Sequence, residues 1–421
     1  MKSYNNVKLQ AISEKIGSGM TPLRTNTEYW NSKDIPWVKT ELLGQYIISE
    51  TSEYISQKAF EENSLTLFPA NTLSIAMYGE GKTRGNVSIF GMPMTSNQAC
   101  CNLIIDEQKA DYKYVYYALK NNYDNLRNLA SGVRNNLNAD LIKNFEIPLP
   151  DLPKQKKIAD VLSCIDDKIA LNNKTNTELE NMAKTIYDYW FTQFDFPDKN
   201  GHPYKTSGGQ MVYNEILKRE IPAGWEVKNI LDCCKVIDCL HSKKPDYCYE
   251  DENCYLLQLE NLIDLKLIDL TNKYYVSKKD YETWTSKTKV KQGDLVVTNA
   301  GRVGGVSRIP NYIETGIGRN MTSIRPISIS EYLLCYFFSS SDCDKQIRQN
   351  TDQGAFFQSL NVKGIKKLNL TIPPKEIQEK FDSLVGKIRL QIESNHKENE
   401  ELTKLRDYLL PLLMNGQIKV K

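Results

Sequence analysis

Two long segments of the chain carry apolar residues at the three- and four-residue spacing that favours one buried face of an α-helix. In the first segment the apolar positions on this face are Ile158, Leu162, Ile165, Ile169, Leu179, Met182 and Ile186. Where the same face passes positions 172 and 176, the sequence has asparagine instead. Asparagine is a poor residue for a helix interior and is costly to bury, so this interruption needs a physical explanation.

The second segment repeats the first one 223 residues later, interruption included. Its apolar positions are Phe381, Val385, Ile388, Ile392, Leu402, Leu405 and Leu409, and its asparagines are Asn395 and Asn399. Upstream, IPLPDLPKQKKI (147–158) aligns with LTIPPKEIQEKF (370–381), and YISQKAFE (54–61) aligns with YVSKKDYE (275–282). The pattern therefore predicts an internal repeat that covers most of the chain.

The repeat predicts six regions along the chain. These are a first module (1–152), a first long helix (153–193), a linker (194–225), a second module (226–375), a second long helix (376–414) and a tail (415–421). Runs such as TLSIAMY (72–78) and DLVVTNA (294–300) are typical of strands, while YKYVYYALKNN and EYLLCYFFSSS favour short helices. We therefore expect two mixed α/β modules and an α+β fold class overall.

The two long helices are predicted to pack on each other as an antiparallel coiled coil with pseudo-two-fold symmetry. Because the asparagines lie near the middle of each helix, an antiparallel pair brings Asn172 and Asn176 opposite Asn395 and Asn399. A parallel pair in register would do the same, so the asparagines alone do not decide. Our hypothesis is that buried asparagines fix the register at a cost in stability; the alternative is a polar surface open to solvent or to a partner.

Composition places the chain among soluble globular proteins with more than one domain. It has 421 residues, of which 40% are hydrophobic and 25% charged, and a net charge of +2 that neither indicates nor excludes a nucleic-acid partner. No apolar run approaches the roughly 20 residues of a membrane helix. The first residues, MKSYNNVKLQ, lack the apolar core of a secretion signal, so we expect a cytoplasmic protein.

Signatures of catalysis are weak, and we expect no catalytic residue in this chain. AMYGEGKTRG (76–85) resembles a phosphate-binding loop, but Ala76 stands where the first glycine is required. The second copy, NAGRVGG (299–305), has no Lys-Thr pair. There is no adenine-methyltransferase or nuclease signature, and the histidines His202, His241 and His396 form no arrangement that both halves share.

One cluster of cysteine and histidine residues is a candidate metal site. It consists of Cys233, Cys234, Cys239, His241, Cys248 and Cys254. The spacing lacks the paired C-x₂-C elements of common zinc modules, so small buried residues are the favoured interpretation and no metal is expected.

Polar loop residues at corresponding places in both modules are the candidates for DNA contact. In the first module they are Lys82, Arg84, Asn86, Asn97, Gln98, Arg134, Asn135 and Asn136, and in the second they are Arg302, Arg319, Asn320, Gln353 and Gln358. Arginine, asparagine and glutamine can read base edges with paired hydrogen bonds in the major groove. Any one of them alone is more simply a surface or turn residue, but together they predict a recognition surface.

Several motifs, taken in order, carry a resemblance to a known family. SGMTPLRTNTEYWNSKDIPWVKTELL (18–43) resembles the opening of target-recognition domains in the specificity subunits of type I restriction-modification enzymes. The stretch IPLP before a long helix is similar to the junction into their spacer helices, and IPAGWEVKNI (221–230) to the lead into their second recognition domain. The second module lacks the T-P and Y-W elements, which implies a different recognition class.

The resemblance implies a non-catalytic subunit with two DNA-reading modules. Residues 1–152 and 226–375 would each read one half of a bipartite target in double-stranded DNA, and the helices would set the spacer between the halves. The helices would also hold two modification subunits, which use S-adenosylmethionine to methylate adenine. Two restriction subunits would add ATP- and Mg-dependent translocation and cleavage. No cofactor is expected in this chain itself, and the asparagines would fix the distance between half-sites.

Two other functions remain open from the residues alone. The first is a non-catalytic coiled-coil adaptor whose modules bind protein. The second is a self-contained modification enzyme, which would need a cofactor motif that this sequence does not have. DNA binding that weakens steeply with salt and prefers some sequences distinguishes the specificity subunit from the adaptor.

Overall fold

The computed structural model describes residues 4–79, 82–130, 136–299, 304–350, 352–353, 358–360 and 362–420. The chain forms two compact units. Unit 1 comprises Met1–Ala170 and Glu401–Lys421, and unit 2 comprises Leu171–Glu400. None of the helices in the described part of the chain combines the length and the hydropathy needed to span a lipid bilayer.

Unit 1 is built on short, mostly buried strands. They are β1 (Asn6–Lys8), β2 (Ser13–Ser18), β3 (Ile35–Val38), β4 (Ile47–Ile48), β5 (Glu53–Ile55), β6 (Leu73–Ala76), β7 (Val87–Phe90), β8 (Thr95–Ser96), β9 (Cys100–Ile105) and β10 (Glu146–Pro148). A five-stranded sheet has the order β2-β9-β6-β7-β4, a three-stranded sheet the order β5-β3-β8, and β1 pairs with β10. Segments such as LSIA in β6 are buried at every position, because both faces of these strands are covered.

The helices of unit 1 pack on its two larger sheets. They are α1 (Gln57–Glu62), α2 (Tyr112–Asn121), α3 (Tyr123–Asn128), α4 (Ala139–Lys143) and the first part of α5 (Leu152–Tyr187). Helix α2 begins at Asp111, whose side chain accepts a hydrogen bond from the Tyr114 amide at 2.8 Å. One core combines α2 and the sheet with Leu162 of α5 and Leu410 and Leu413 from the last residues of the chain.

Unit 2 contains thirteen strands in its described part. They are β11 (Met211–Asn214), β12 (Arg219–Pro222), β13 (Glu226–Asn229), β14 (Cys234–Asp238), β15 (Tyr255–Leu257), β16 (Tyr274–Tyr275), β17 (Leu295–Thr298), β18 (Val306–Arg308), β19 (Gly316–Ile317), β20 (Met321–Pro326), β21 (Asp352–Gln353), β22 (Gln358–Ser359) and β23 (Asn369–Ile372). The sheets have the orders β14-β20-β17-β18 and β16-β15-β19, with the pairs β11-β12, β13-β23 and β21-β22.

The helices of unit 2 pack on two hydrophobic cores, of which the larger is rich in aromatic residues. They are α6 (Ile230–Cys233), α7 (Lys278–Thr285), α8 (Glu331–Phe337), α9 (Ser341–Asn350), α10 (Val362–Ile365) and most of α11 (Lys375–Met414). Phe381 of α11 is fully buried and contacts the rings of Tyr187, Trp190 and Phe191 at the end of α5, where the helix closes with a π-helical turn at Asp188–Thr192.

The predicted internal repeat is confirmed in the strand topology. In unit 1, β3 pairs antiparallel with β5 and parallel with β8; in unit 2, β15 pairs antiparallel with β16 and parallel with β19. The order β2-β9-β6-β7 recurs as β14-β20-β17-β18. Strand β4 has no counterpart among the described residues of unit 2, which agrees with the divergence of the second module in sequence.

The predicted antiparallel pairing of the long helices is confirmed within each unit. In unit 2 the Asn172 Nδ2 donates to Asn399 Oδ1 at 2.9 Å, and the Asn395 Nδ2 donates to Asn176 Oδ1 at 2.8 Å. In unit 1 Asp166 of α5 pairs with Arg406 of α11 at 2.6 Å. All four asparagines are buried, so they form an internal layer and not the solvent-exposed surface of the alternative.

Two positions of the predicted apolar face are wrong. Met182 and Leu405 are 55% and 47% exposed, although their spacing places them on the stripe. Next to Met182 the buried face passes instead through Glu180 and Ala183, because Glu180 pairs with the buried Arg389, and next to Leu405 it passes through Arg406, which pairs with Asp166. A two-residue difference in phase moves a helical side chain from the interface to the surface.

The segment predicted as a polar linker contributes to the core of unit 2. Phe194, Phe196 and Trp225 are buried, with the Phe196 and Trp225 ring centroids 5.0 Å apart. Strands β11 and β12 form a hairpin in the same segment. Its many Gly and Pro residues suggested a linker, but four of its five aromatic residues, Phe194, Phe196, Tyr204 and Trp225, pack into this core.

Candidate nucleic-acid interface

Three loops that carry candidate residues meet at one edge of unit 1. They are the connections β6–β7, β8–β9 and α3–α4. The Met77 amide donates to the Ala99 carbonyl at 2.8 Å, and the Met77 carbonyl accepts from the Leu137 amide at 3.0 Å. Met77, the residue that follows β6, therefore holds the other two loops to the end of the central strand.

The same two backbone hydrogen bonds recur in unit 2. The Asn299 amide donates to the Asn320 carbonyl at 2.8 Å, and the Asn299 carbonyl accepts from the Leu360 amide at 2.8 Å. Asn299 follows β17, the counterpart of β6. Each unit thus has a three-loop edge at the same place in its fold. This three-loop edge consists of the residues that these hydrogen bonds bring together.

Lys82 and Arg84 lie in the β6–β7 loop of unit 1. Lys82 is exposed, and its carbonyl accepts from Tyr123 Oη at 2.7 Å. It borders a hollow of about 380 Å³ that is also lined by Lys120 and Tyr123. Burial, followed by the charge of Arg406, lowers the pKa of Lys120. Cationic groups beside an aromatic ring can contact a phosphate or a base, so this hollow is suited to a nucleotide.

The amide candidates of unit 1 have structural contacts of their own. Asn86 Nδ2 donates to the Leu43 carbonyl at 3.3 Å, and Asn97 Oδ1 accepts from the Ala99 amide at 3.1 Å. These are the bonds of ordinary turn residues. Gln98 is exposed and its Oε1 accepts from Thr21 Oγ1, while Asn136 is half-buried. Of the amides, Gln98 is the one best placed to reach a ligand.

In unit 2 the exposed candidates are Arg319 and Asn320, between β19 and β20. Asn320 has a φ of 62°, a left-handed conformation that asparagine tolerates better than most residues. Gln353 and Gln358 lie on the hairpin strands β21 and β22. Arg134, Asn135 and Arg302 lie outside the described residues.

The T-P and Y-W elements support the three-loop edge of unit 1, a role that the sequence did not reveal. The Met20 amide donates to the Ser96 carbonyl at 2.9 Å, and Trp37 Nε1 donates to the Met20 carbonyl at 3.0 Å. The Arg24 guanidinium lies 3.7 Å from the ring centroid of Trp30. These contacts hold the segment around Met20 beside the β8–β9 loop, where Met20 itself is exposed.

Gly19 is expected to be required for this support. A Cβ atom at position 19 would overlap the backbone carbonyl and Oγ of Ser96, whereas a Cβ at Gly17 meets no atom within 4 Å. We expect Gly19→Ala to lower the free energy of unfolding of unit 1 by about 1–3 kcal/mol, as overpacking does. Urea denaturation followed by hydrogen exchange in residues 4–130 measures the change.

Gly17→Ala is the matched control, two residues away in the same segment. It is expected to change the stability of unit 1 by less than about 0.5 kcal/mol. Equal losses for the two variants would contradict the assignment of Gly19 as the contact point with Ser96.

The cysteine and histidine cluster does not converge as a set of six. Within the described residues, the ligand atoms of Asp238, Cys239 and His241 lie within 4.8 Å of one another. His241 is exposed and pairs with Asp238 at 2.7 Å. Cys233, Cys234 and Cys254 are buried core residues, in line with the interpretation favoured from their spacing.

Comparison with known proteins agrees with this architecture. A family model described as the type I restriction modification DNA specificity domain matches residues 1–181 and 222–404. The type I restriction enzyme MjaIX specificity subunit of Methanocaldococcus jannaschii is 30% identical over 431 residues, covering 100% of this chain and 94% of that protein. The MjaVIII specificity subunit of the same organism is 24% identical over 402 residues, covering 92% and 86%.

A solved structure shares the fold. It is the S subunit of a type I restriction-modification system from M. genitalium, with a TM-score of 0.58 and 14% sequence identity. The match covers 97% of this chain and 96% of that structure. The two matched segments of the family model also correspond to the two halves of the internal repeat.

Proposed function

Since the chain belongs to the family of type I restriction-modification DNA specificity subunits, we propose that it reads a bipartite DNA target through its two three-loop edges. The observation that carries this proposal is the recurrence of the same loop-gathering hydrogen bonds at Met77 and Asn299. Two modules that read different DNA sequences need the same backbone arrangement in both units, with different polar side chains exposed on it.

The two edges are chemically different, which supports an asymmetric target. Unit 1 presents Lys82 and Gln98, and the exposed Met20 lies beside the loop that carries Gln98. Unit 2 presents Arg319 and Asn320 at the place of Gln98 and Ala99. Arginine favours guanine and glutamine favours adenine in the major groove, so the two half-sites are expected to differ.

The long helices are proposed to set the spacer and to hold the partner subunits. Met182 of α5 and Leu405 of α11 occupy equivalent positions in the repeat, and both are exposed apolar side chains. A single exposed apolar side chain is common on a protein surface, but its recurrence at equivalent positions of both long helices favours a shared type of contact. Their presence in both copies supports one docking site per copy, and hence two modification subunits.

The chemistry of the complex is assigned to the partners. Two modification subunits would supply adenine methylation with S-adenosylmethionine, and two restriction subunits would supply translocation and cleavage with ATP and Mg. This chain is proposed to be non-catalytic and to direct these reactions to the target by binding double-stranded DNA.

The decisive experiment is methylation-aware long-read sequencing of DNA from cells that express this chain with its cognate modification subunit. The control cells express the modification subunit alone. Methyladenine in a split motif that requires the chain is the expected result, and it gives both half-sites and the spacer. No new methylation, with both proteins folded and bound to each other, contradicts the proposal and favours the adaptor.

Arg84→Ala is expected to weaken binding to the first half-site by about 1–3 kcal/mol and to relax the preference at one base position. An arginine that reads a base loses discrimination when truncated, because its paired hydrogen bonds distinguish one base from the others. Binding selections from DNA randomised in the first half-site measure the preference. Lys143→Ala, a half-buried residue whose ammonium pairs with the exposed Asp140 in the same unit, is the control.

The alternative outcome assigns Arg84 to the DNA backbone. Uniform weakening across all sequences, with a smaller dependence of binding on salt, indicates a phosphate contact. Unchanged binding at all positions removes Arg84 from the interface.

Asn176→Leu is expected to lower the free energy of unfolding of unit 2 by about 1–3 kcal/mol, because the buried Asn395 amide loses its acceptor. The pair Asn176→Leu with Asn395→Leu removes both polar groups and is expected to regain most of this loss.

In the chain with both leucines, the register of the two helices depends on packing alone. Spin labels at exposed positions 184 and 387, with Cys164→Ser, should report a broader distance distribution in the leucine pair.

Asn181→Leu, an exposed asparagine on the same helix, is the control for this pair. It should leave both the stability and the distance distribution unchanged. A leucine pair with the narrow distribution of the parent chain would show that the asparagines do not fix the register.

A further inference from the structure

The asparagine layer cannot distinguish one long helix from the other. The repeat places Asn172 on Asn395 and Asn176 on Asn399. In unit 2, the Asn172 side chain donates a hydrogen bond to Asn399, and the Asn176 side chain accepts a hydrogen bond from Asn395. If a second copy of α5 replaced α11, Asn172 would meet Asn176 of that copy and find the same amide partner. The layer therefore permits α5–α5 and α11–α11 pairing between two chains.

The buried charges on the same helices are not symmetric. Arg389 Nη1 of α11 donates to Glu180 Oε2 of α5 at 2.9 Å in unit 2. Arg406 Nη1 of α11 donates to Asp166 Oδ1 of α5 at 2.6 Å in unit 1. Both acids lie on α5 and both arginines on α11. Asp166, Glu180 and Arg389 are buried, and the Arg406 side chain is only 13% exposed.

Positions 166 and 389 are equivalent in the repeat, so the same buried site carries opposite charges in its two copies. In both units a tyrosine lies beside the site, and in unit 2 Lys266 also pairs with Glu180. Tyr117 and Tyr336 are both the sixth residue after the cap of their helix. Tyr117 Oη donates to Asp166 at 2.7 Å and Tyr336 Oη donates to Glu180 at 2.8 Å. In each unit the tyrosine thus donates a hydrogen bond to the acidic residue on α5.

Pairing of like helices would bring like charges together at these sites. With a second α5 in place of α11, Asp166 of that copy takes the place of Arg389 and faces Glu180. With a second α11 in place of α5, Arg389 of that copy takes the place of Asp166 and faces Arg406. An uncompensated buried charge is strongly destabilising, and two of the same sign at close range are worse.

We propose that this charge reversal commits the chain to pair its own two different helices, and disfavours dimers built from like helices of two chains. The asparagines set the register, and the acid–arginine pairs determine which helix is the partner. In coiled coils, too, a buried polar residue fixes the register and charged residues select the partner. One consequence rests on the proposed function. A chain that pairs its own two helices carries one copy of each module, and two different modules read an asymmetric target. The pairing rule itself does not involve DNA.

The test uses three full-length chains. The basic chain carries Asp166→Arg with Glu180→Arg, and the acidic chain carries Arg389→Glu with Arg406→Asp. Within either chain the two helices then present like charges. When the two chains are refolded together, α5 of each meets α11 of the other with opposite charges. The third chain carries all four changes and restores opposite charges within itself.

Native mass spectrometry and circular dichroism after refolding measure the outcome. The four-change chain is expected to fold as a monomer. Each two-change chain alone is expected to lose native helix pairing, and the mixture is expected to give a one-to-one dimer of twice the chain mass. A two-change chain that folds alone as a stable monomer overturns the proposal. A mixture without dimer does so too, and so does a four-change chain that does not fold, since other contacts then decide the pairing.

These outcomes are independent of the proposed function. A chain without DNA binding would still follow the pairing rule, and a chain that breaks the rule can still direct methylation to a split motif.

Discussion

Arg389→Ala is expected to lower the free energy of unfolding of unit 2 by about 3–5 kcal/mol, the usual loss when one partner of a buried ion pair is removed. The Arg389 guanidinium bonds Glu180 at 2.9 Å and the Leu265 carbonyl at 2.7 Å. The substitution leaves Glu180 buried with Lys266 and Tyr336 as its remaining partners. Urea denaturation with hydrogen exchange of amides in residues 171–400 measures the change.

The position of Arg389 explains why the loss should exceed that of a surface residue. It connects α11 to α5 through Glu180 and to the second module through the backbone of Leu265 and Lys266. Lys387→Ala, an exposed residue on the same helix, is the control and should change stability by less than about 0.5 kcal/mol.

A second variant separates the charge from the contacts. Glu180→Gln in the Arg389→Ala background removes the buried carboxylate, which Lys266 alone then compensates, but keeps an acceptor for Tyr336, so it should recover part of the stability. If the double variant is less stable than Arg389→Ala, the buried charge of Glu180 is not the source of the loss.

Trp37→Ala is expected to lower the free energy of unfolding of unit 1 by about 3–5 kcal/mol, as for other large core aromatic residues. Trp37 is 2% exposed and its ring lies edge-on to Trp30 at 5.0 Å. Strand β3 also pairs with β8 at Trp37 and Thr95, directly before the Asn97–Gln98 loop. The first half-site should therefore lose its reader, while the second half-site is still bound.

Binding to each half-site on separate DNA duplexes, with denaturation of the same samples, measures both effects. Trp37→Phe keeps an aromatic ring but loses the donor to the Met20 carbonyl, so a smaller loss of about 1–2 kcal/mol is expected. Trp284→Ala is the matched control, because Trp284 is equally buried in unit 2. It should affect the second half-site and spare the first; an effect of both tryptophans on the same half-site contradicts separate readers.

Much of the fold was predictable because its signals repeat. The helical spacing, the Asn172 and Asn176 interruption and its copy at Asn395 and Asn399 are visible as a pattern, and they predicted two antiparallel helices and two similar modules. Strands such as β6 and β17 followed from short apolar runs between turn residues. Met182 and Leu405 were assigned to the wrong face because periodicity does not detect the ion pairs made by their neighbours, Glu180 with Arg389 and Arg406 with Asp166.

The candidate interface was predictable only in outline. Polar residues at matching loops of both modules indicated a surface, and the structure gathers those loops in each unit through Met77 and Asn299. The contacts of Asn86 and Asn97 are those of turn residues, which residue type alone does not distinguish from base-reading ones. Their part in DNA contact, like that of Arg84 and Arg319, stays a prediction.

The sequence by itself determined the repeat, the long helices and the family, because periodicity, self-similarity and motif order are properties of the chain as written. Only the tertiary structure decided which side chains meet. It paired Asn172 with Asn399, gave Asp166 and Arg389 opposite roles at one repeated site, buried Phe196 and Trp225 of the apparent linker, and brought three loops to one edge of each unit. These contacts join residues far apart in the chain, and their partners are chosen by packing and by the cost of leaving a buried polar group unpaired.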